Sequence, residues 1–184
     1  MVAPAISPSK TKDSHSRSMK TLTIAISIAL AALAADAASA QAPLSPDDVR
    51  ALERGKEIYK VKANCQFCHK WDASGDQGYG GNASSLRKTF LNEEQFAEVV
   101  RCGRPGTGMP YHDQFAYTDK RCYNVTGAEL GRIMPPIGEP LQRRDIEAVV
   151  KYLFTKAVGR GASTFEECVE FWGQDTRLCE PMKK

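Results

Sequence analysis

The sequence has few histidines and no strong excess of charge of one sign. It contains three His, and 25 Lys and Arg stand against 22 Asp and Glu. No sustained basic patch is present, which excludes the electrostatic surface typical of nucleic-acid-binding proteins. The apolar run at residues 22–35 is shorter than the roughly 20 residues that a transmembrane helix needs. Internal repeats are absent and strand patterns are minor, so the sequence indicates a small, mostly helical domain.

One of the few histidines belongs to a specific motif, Cys65-Gln66-Phe67-Cys68-His69. Two thiols three positions apart can bond the two vinyl groups of one haem, and the adjacent imidazole can ligate its iron. A thioredoxin-like redox pair would need a βαβ context, and a zinc site would need a second pair of ligands at matching spacing. The sequence has neither, so we predict one covalent c-type haem with Cys65 and Cys68 as attachment points and His69 as proximal ligand.

Residues 1–40 are predicted to be a cleavable export signal with an N-terminal extension. Translation starts at either Met1 or Met19, the apolar run 22–35 has the length of a signal-peptide core, and small residues at 38–40 provide a cleavage site. We therefore expect a mature periplasmic protein, with an uncleaved membrane anchor as the alternative. Cleavage would leave 21 basic and 20 acidic side chains, so partner docking would depend on a local patch.

The six cysteines agree with export, because disulfides persist in oxidising compartments. Four of them, Cys102, Cys122, Cys168 and Cys179, remain after haem attachment, and four cysteines allow three pairings. Their order along the chain favours Cys102–Cys122 and Cys168–Cys179, since both loops are short enough to close locally.

Capping residues predict where the helices begin. N-caps are expected at Ser45, Asn92, Thr126 and Thr164. The clearest amphipathic helix spans residues 143–156. Gly55 lies inside the first helix and indicates close approach by another element, whereas the Gly- and Ser-rich stretch 71–85 is predicted to be a loop.

The order helix, Cys-x-x-Cys-His, loop, helix, Gly-rich Met-Pro segment and amphipathic helix over residues 45–157 resembles the monohaem class I cytochromes c. The resemblance implies an all-α fold in which the first and last helices of that domain cross, with Gly55 and an aromatic side chain at the contact. It also implies three segments. They are a signal peptide with its extension at 1–40, a cytochrome c domain at 41–157, and a disulfide-closed C-terminal extension at 158–184.

The resemblance further implies a methionine as sixth ligand of the iron, since thioether ligation raises the reduction potential. Met109 is preferred because glycines let its loop turn over the haem face. Met134 is the alternative, with the family's more usual spacing from the last helix, and His112 would give a bis-histidine haem. The family usually has a proline whose neighbouring carbonyl holds the proximal imidazole; here Ser84 stands in its place, shortly before Leu86.

These features predict a soluble, monomeric electron carrier of the periplasm, not an enzyme, that binds one haem c. Its expected partners are redox proteins, a periplasmic dehydrogenase as donor and an oxidase or another cytochrome as acceptor. The general appearance also resembles cytochromes that serve quinoprotein dehydrogenases. Two alternatives remain open: a haem enzyme or sensor with an open or Cys-ligated iron, and a fixed cytochrome subunit of a larger complex.

Overall fold

Six α-helices and one short β-hairpin form most of the regular structure in the computed structural model, which describes residues 44–174 and 177–183. The helices are α1 Pro46–Glu57, α2 Gln66–His69, α3 Glu93–Cys102, α4 Gly127–Leu130, α5 Arg143–Lys156 and α6 Phe165–Trp172. The hairpin pairs β1 Asp76–Gly78 with β2 Gly81–Ala83. α1 continues as a π-helical turn, Ile58–Lys62, and 3₁₀ turns cover Gly131–Ile133 and Arg177–Met182.

The predicted export signal at residues 1–40, with both candidate initiators, lies outside the described residues. Within the described ranges, no helix combines the length and the apolar character needed to cross a bilayer.

The helices begin where the capping residues predict. The Ser45 side chain accepts a hydrogen bond from the Asp48 amide at 3.1 Å, and Asn92 accepts one from the Gln95 amide at 2.9 Å. Thr126 and Thr164 cap α4 and α6 in the same way. Each cap satisfies a backbone N–H that the first helical turn cannot pair. The predicted helix over residues 143–156 is α5.

α1 and α5 cross at the point that Gly55 predicts. A Cβ atom on Gly55 would lie 2.1 Å from the Ala148 carbonyl oxygen and 2.6 Å from Tyr152 Cβ, so only glycine allows this approach. One turn later, the buried Tyr59 ring lies 6.1 Å from the Tyr152 ring. Phe171 of α6 meets Tyr59 edge-on, and the C-terminal extension therefore contributes to the same hydrophobic core.

A buried carboxylate joins three elements at this crossing. Asp145, 1% exposed, accepts hydrogen bonds from Arg54 of α1, from Lys62 of the π-helical turn and from the backbone amide of Gln142. Burial alone would raise the pKa of Asp145, but these hydrogen bonds outweigh it and hold the pKa at about 2.

The prediction of an all-α fold needs one correction. The stretch 71–85, predicted to be a loop, contains the antiparallel hairpin β1–β2. A Cβ on Gly78 would lie 2.3 Å from the Cys68 carbonyl oxygen, so glycine lets the hairpin pack directly against α2. Its Gly- and Asn-rich strands lack the alternation of apolar and polar residues that reveals a strand in a sequence.

The four remaining cysteines pair as their order predicts, Cys102 with Cys122 and Cys168 with Cys179. The first disulfide ties the end of α3 to the segment 111–137, which we call the insertion and which has a small core of its own around Tyr111 and Tyr117. The two ends of the insertion lie side by side in a parallel bridge. The Tyr111 amide donates to the Pro136 carbonyl, and the Gly138 amide donates to the Tyr111 carbonyl.

Candidate haem-binding site

α2 places the two thiols and the imidazole of the motif on one helical turn. Cys65 begins the turn and accepts hydrogen bonds from the amides of Cys68 and His69. Cys65 and Cys68 are free, whereas the other four cysteines form disulfides. Burial raises the pKa of the Cys65 thiol to about 12, so it is a neutral thiol and not a thiolate that would bind a metal ion. Two free thiols at this spacing fit addition to the vinyl groups of one haem.

The His69 imidazole is hydrogen-bonded to the backbone carbonyl of Ser84, the residue that stands in place of the proline. His69 Nδ1 lies 2.9 Å from the Ser84 carbonyl oxygen. Since a carbonyl can only accept, Nδ1 carries the proton and Nε2 has the lone pair that an iron needs. Burial lowers the pKa of His69 and so favours this neutral form.

Gly75 brings Ser84 close to the imidazole. Its φ is +71°, and a Cβ there would lie 2.6 Å from the Ala83 carbonyl oxygen and from the Ser84 carbonyl carbon. The Gly75 amide also donates to the His69 carbonyl at 3.0 Å. A glycine is therefore required for the chain after α2 to fold back against the loop that orients His69.

Met109 lies in a tight turn that follows α3. Gly103, with φ +64°, starts the turn, and the Arg104 amide donates to the Met109 carbonyl at 3.2 Å. The Met109 amide donates to Thr107 Oγ1 at 3.1 Å. Burial is the main cause of the lowered pKa of His69, and the positive charge of Arg104 in this turn adds to it.

The two alternative distal ligands, Met134 and His112, contact the segment 127–139. The Met134 sulfur lies 3.2 Å from the position that a Cβ on Gly127 would take, so its thioether packs against the start of α4. His112 is 3% exposed, donates through Nδ1 to the Glu139 carbonyl at 2.7 Å and lies against Gly138. Both side chains therefore stabilise the return path of the insertion.

One buried residue beside the loop that orients His69 could not be identified from the sequence. Arg87, 6% exposed, donates to the Asp72 carbonyl at 3.0 Å, to the Gly161 carbonyl at 2.5 Å and to the Glu167 carboxylate at 2.9 Å. Ser163 Oγ also donates to the Asp72 carboxylate at 2.9 Å. The C-terminal extension is thus hydrogen-bonded to the segments on both sides of the loop that orients His69. The ion-pair partner of Arg87 lies 80 positions away, so no local pattern could predict it.

Comparison with known proteins gives one match, to a family model. Residues 50–127, less than half of the chain, match the family model described as cytochrome c oxidase, cbb3-type, subunit III. Searches of curated proteins and of solved structures returned no significant match. The matched range contains Cys65, Cys68, His69 and Met109. A cytochrome c domain of this kind implies a covalently bound c-type haem and haem-based electron transfer to and from redox partners.

Proposed function

We propose that this chain is an exported, soluble one-electron carrier of the periplasm, with His69 and Met109 as the axial ligands of its haem. The observation that carries the proposal is the His69–Ser84 hydrogen bond beside two free thiols. This arrangement gives the imidazole the orientation and the tautomer that axial ligation requires before any cofactor is attached.

The bound haem would supply a reversible ferric–ferrous couple, and the protein's own residues would set its properties. The thiols of Cys65 and Cys68 form the thioether bonds, and the Ser84 carbonyl raises the basicity of the imidazole by accepting its N–H. The Met109 thioether favours the ferrous state and raises the potential into the range of an electron carrier.

Two observations favour Met109 over Met134. Hydrogen bonds of Met109 with the Arg104 amide and with Thr107 Oγ1 close its turn, and the family-model match includes Met109 but ends before Met134. The Cys102–Cys122 disulfide removes both thiols from the set of ligands, which weakens the alternative of a Cys-ligated haem enzyme. The same bridge closes the segment that contains Met109.

Replacement of each methionine by alanine tests the ligation. Met109→Ala should abolish the weak sulfur-to-iron band at the red edge of the ferric spectrum and lower the reduction potential. Met134→Ala is the matched control and should leave both unchanged. An intact band in Met109→Ala and its loss in Met134→Ala would reverse the assignment. Rapid carbon monoxide binding by the ferrous wild type would instead favour a haem enzyme or sensor.

Export and partnership need separate tests. N-terminal sequencing of protein from a periplasmic fraction should find a chain that begins after residue 40. A retained segment 1–40 in a membrane fraction would favour an anchored protein instead.

A fixed subunit of a larger complex is the second candidate, because the matching family model is named for an oxidase subunit. Gel filtration of native extract separates the two: a free carrier elutes at its monomer size, whereas a subunit co-migrates with a larger complex. Donor and acceptor, proposed to be a periplasmic dehydrogenase and an oxidase or another cytochrome, follow from whichever proteins exchange electrons with the purified chain.

A further inference from the structure

A groove of about 540 Å³ lies beside the haem-attachment turn. Four aromatic side chains line it: Phe67 of α2, Trp71, Tyr79 at the hairpin tip and Trp172 at the end of α6. We call this surface the aromatic groove. Phe67 and Tyr79 are stacked 6.5 Å apart and are 49% and 96% exposed, so a large apolar surface faces solvent at this place.

The aromatic groove lies behind the attachment turn. Successive residues of an α-helix are about 100° apart, so Cys65, Cys68 and His69 share one face of α2, while Gln66 and Phe67 point to the other. Gln66 and Phe67 are the residues that line the aromatic groove. Cys65, Cys68 and His69 are not among the described residues that line it.

The aromatic groove lies close to the Cys68 sulfur, which would carry one of the two haem attachments. A Cβ on Gly80 would lie 2.4 Å from Cys68 Sγ and 2.5 Å from the Phe67 ring, so the hairpin tip packs directly on the sulfur that becomes a thioether. A protein docked against Phe67 would therefore contact a side chain that lies beside the attachment sulfur.

The charge at the aromatic groove has one sign. Lys70 lines it, and the Lys60 ammonium lies 4.7 Å above the Trp172 ring. No carboxylate occurs among the described residues that line the groove. A second copy of this chain docked symmetrically would bring these lysines together with their own copies, which is unfavourable. A partner with carboxylates around an apolar side chain would be complementary.

We propose that the aromatic groove is the docking site for an acidic redox protein, which inserts an apolar or aromatic side chain between Phe67 and Trp172 and exchanges electrons through the Cys68 attachment. The proposal rests on the electron-carrier function argued above and adds to it the place and the chemistry of the partner. Two of the four aromatic side chains come from the hairpin and the C-terminal extension, so both segments have a recognition role.

Stopped-flow oxidation of the ferrous haem-loaded protein by an acidic plastocyanin tests the proposal. Lys70→Glu should slow the second-order reaction about tenfold at low ionic strength and weaken its salt dependence. Tyr79→Ser should slow it about threefold or more through loss of apolar contact. Lys88→Glu and Phe90→Ser make the same chemical changes at exposed positions outside the groove and should stay within about twofold of the wild type.

The outcomes separate this proposal from the function on which it rests. Wild-type rates in both groove variants, with plastocyanin still reduced, would show that electrons leave elsewhere, and the carrier function would stand without the groove. Ferrous wild type that transfers no electrons to plastocyanin would contradict the carrier function itself. A concentration-dependent dimer in gel filtration that Tyr79→Ser abolishes would mean that a second copy occupies the groove, which overturns the proposed partner.

Discussion

Replacing Glu167 by glutamine tests whether the C-terminal extension supports the proximal haem ligand. The Glu167 carboxylate accepts two hydrogen bonds from Arg87 Nη2, at 2.9 and 3.3 Å, and the Arg87 side chain is 5% exposed. A hydrogen bond to a charged group contributes about 1.5–3 kcal/mol, and removal of one partner of a fully buried ion pair costs about 3–5 kcal/mol. The Glu167 side chain is 19% exposed and glutamine keeps one acceptor, so we expect a loss of about 2 kcal/mol in the free energy of unfolding.

The same substitution should also change the reduction potential of the haem. Arg87 follows Ser84 by three positions, so a loosened Arg87 weakens the hold of the Ser84 carbonyl on the His69 N–H. The imidazole then becomes a weaker donor, and the reduction potential should rise. Guanidinium unfolding and a redox titration of the haem-loaded variant measure the two effects.

Glu170→Gln is the matched control, because Glu170 lies in the same helix and the charge change is identical. Its side chain is 56% exposed and pairs with Lys156, so we expect a change of less than about 0.5 kcal/mol and a smaller rise in potential. Equal losses of stability in Glu167→Gln and Glu170→Gln would refute the argument that burial makes the Arg87 pair important. Equal reduction potentials in the two variants would refute the proposed link between the Arg87 pair and His69.

Three further substitutions test the fold. Gly55→Ala gains about 1 kcal/mol of helix propensity, but its Cβ would overlap the Ala148 carbonyl oxygen at 2.1 Å; overpacking costs about 1–3 kcal/mol, so the guanidinium midpoint should fall, and an unchanged midpoint would contradict the close crossing. The pKa of Asp145 is about 2 in the folded protein and 3.8 by reference, so its stabilisation is complete above about pH 4 and is lost as the pH falls through 2. The difference in urea stability between wild type and Asp145→Asn should narrow over that interval, and a pH-independent difference would exclude the carboxylate as its source. The double variant Cys102→Ser and Cys122→Ser opens a loop of 20 residues and should cost about 3 kcal/mol, with faster replacement of the distal ligand by imidazole; unchanged imidazole kinetics would show that the bridge does not restrain the ligand.

Much of the fold could be predicted because its signals are local. A capping residue lies three positions from the amide that it satisfies, so Ser45, Asn92 and Thr126 mark helix starts without any knowledge of tertiary structure. The hairpin could not be predicted because its sequence carries no such local signal. Its strands carry no alternating apolar pattern, and they form because glycines let the backbone lie on α2, a contact that no local pattern records.

By itself, the sequence predicted the chemistry of the site, because Cys65, Cys68 and His69 are neighbours in the chain and their spacing alone indicates haem attachment. It also narrowed the distal ligand to a few candidates. Tertiary structure decided what surrounds the imidazole: the Ser84 carbonyl that orients it and the Arg87–Glu167 pair that supports the loop. It also decided that the Met134 side chain contacts the start of α4. These interactions join residues up to 80 positions apart, and their energy depends on burial, which only the packed chain provides.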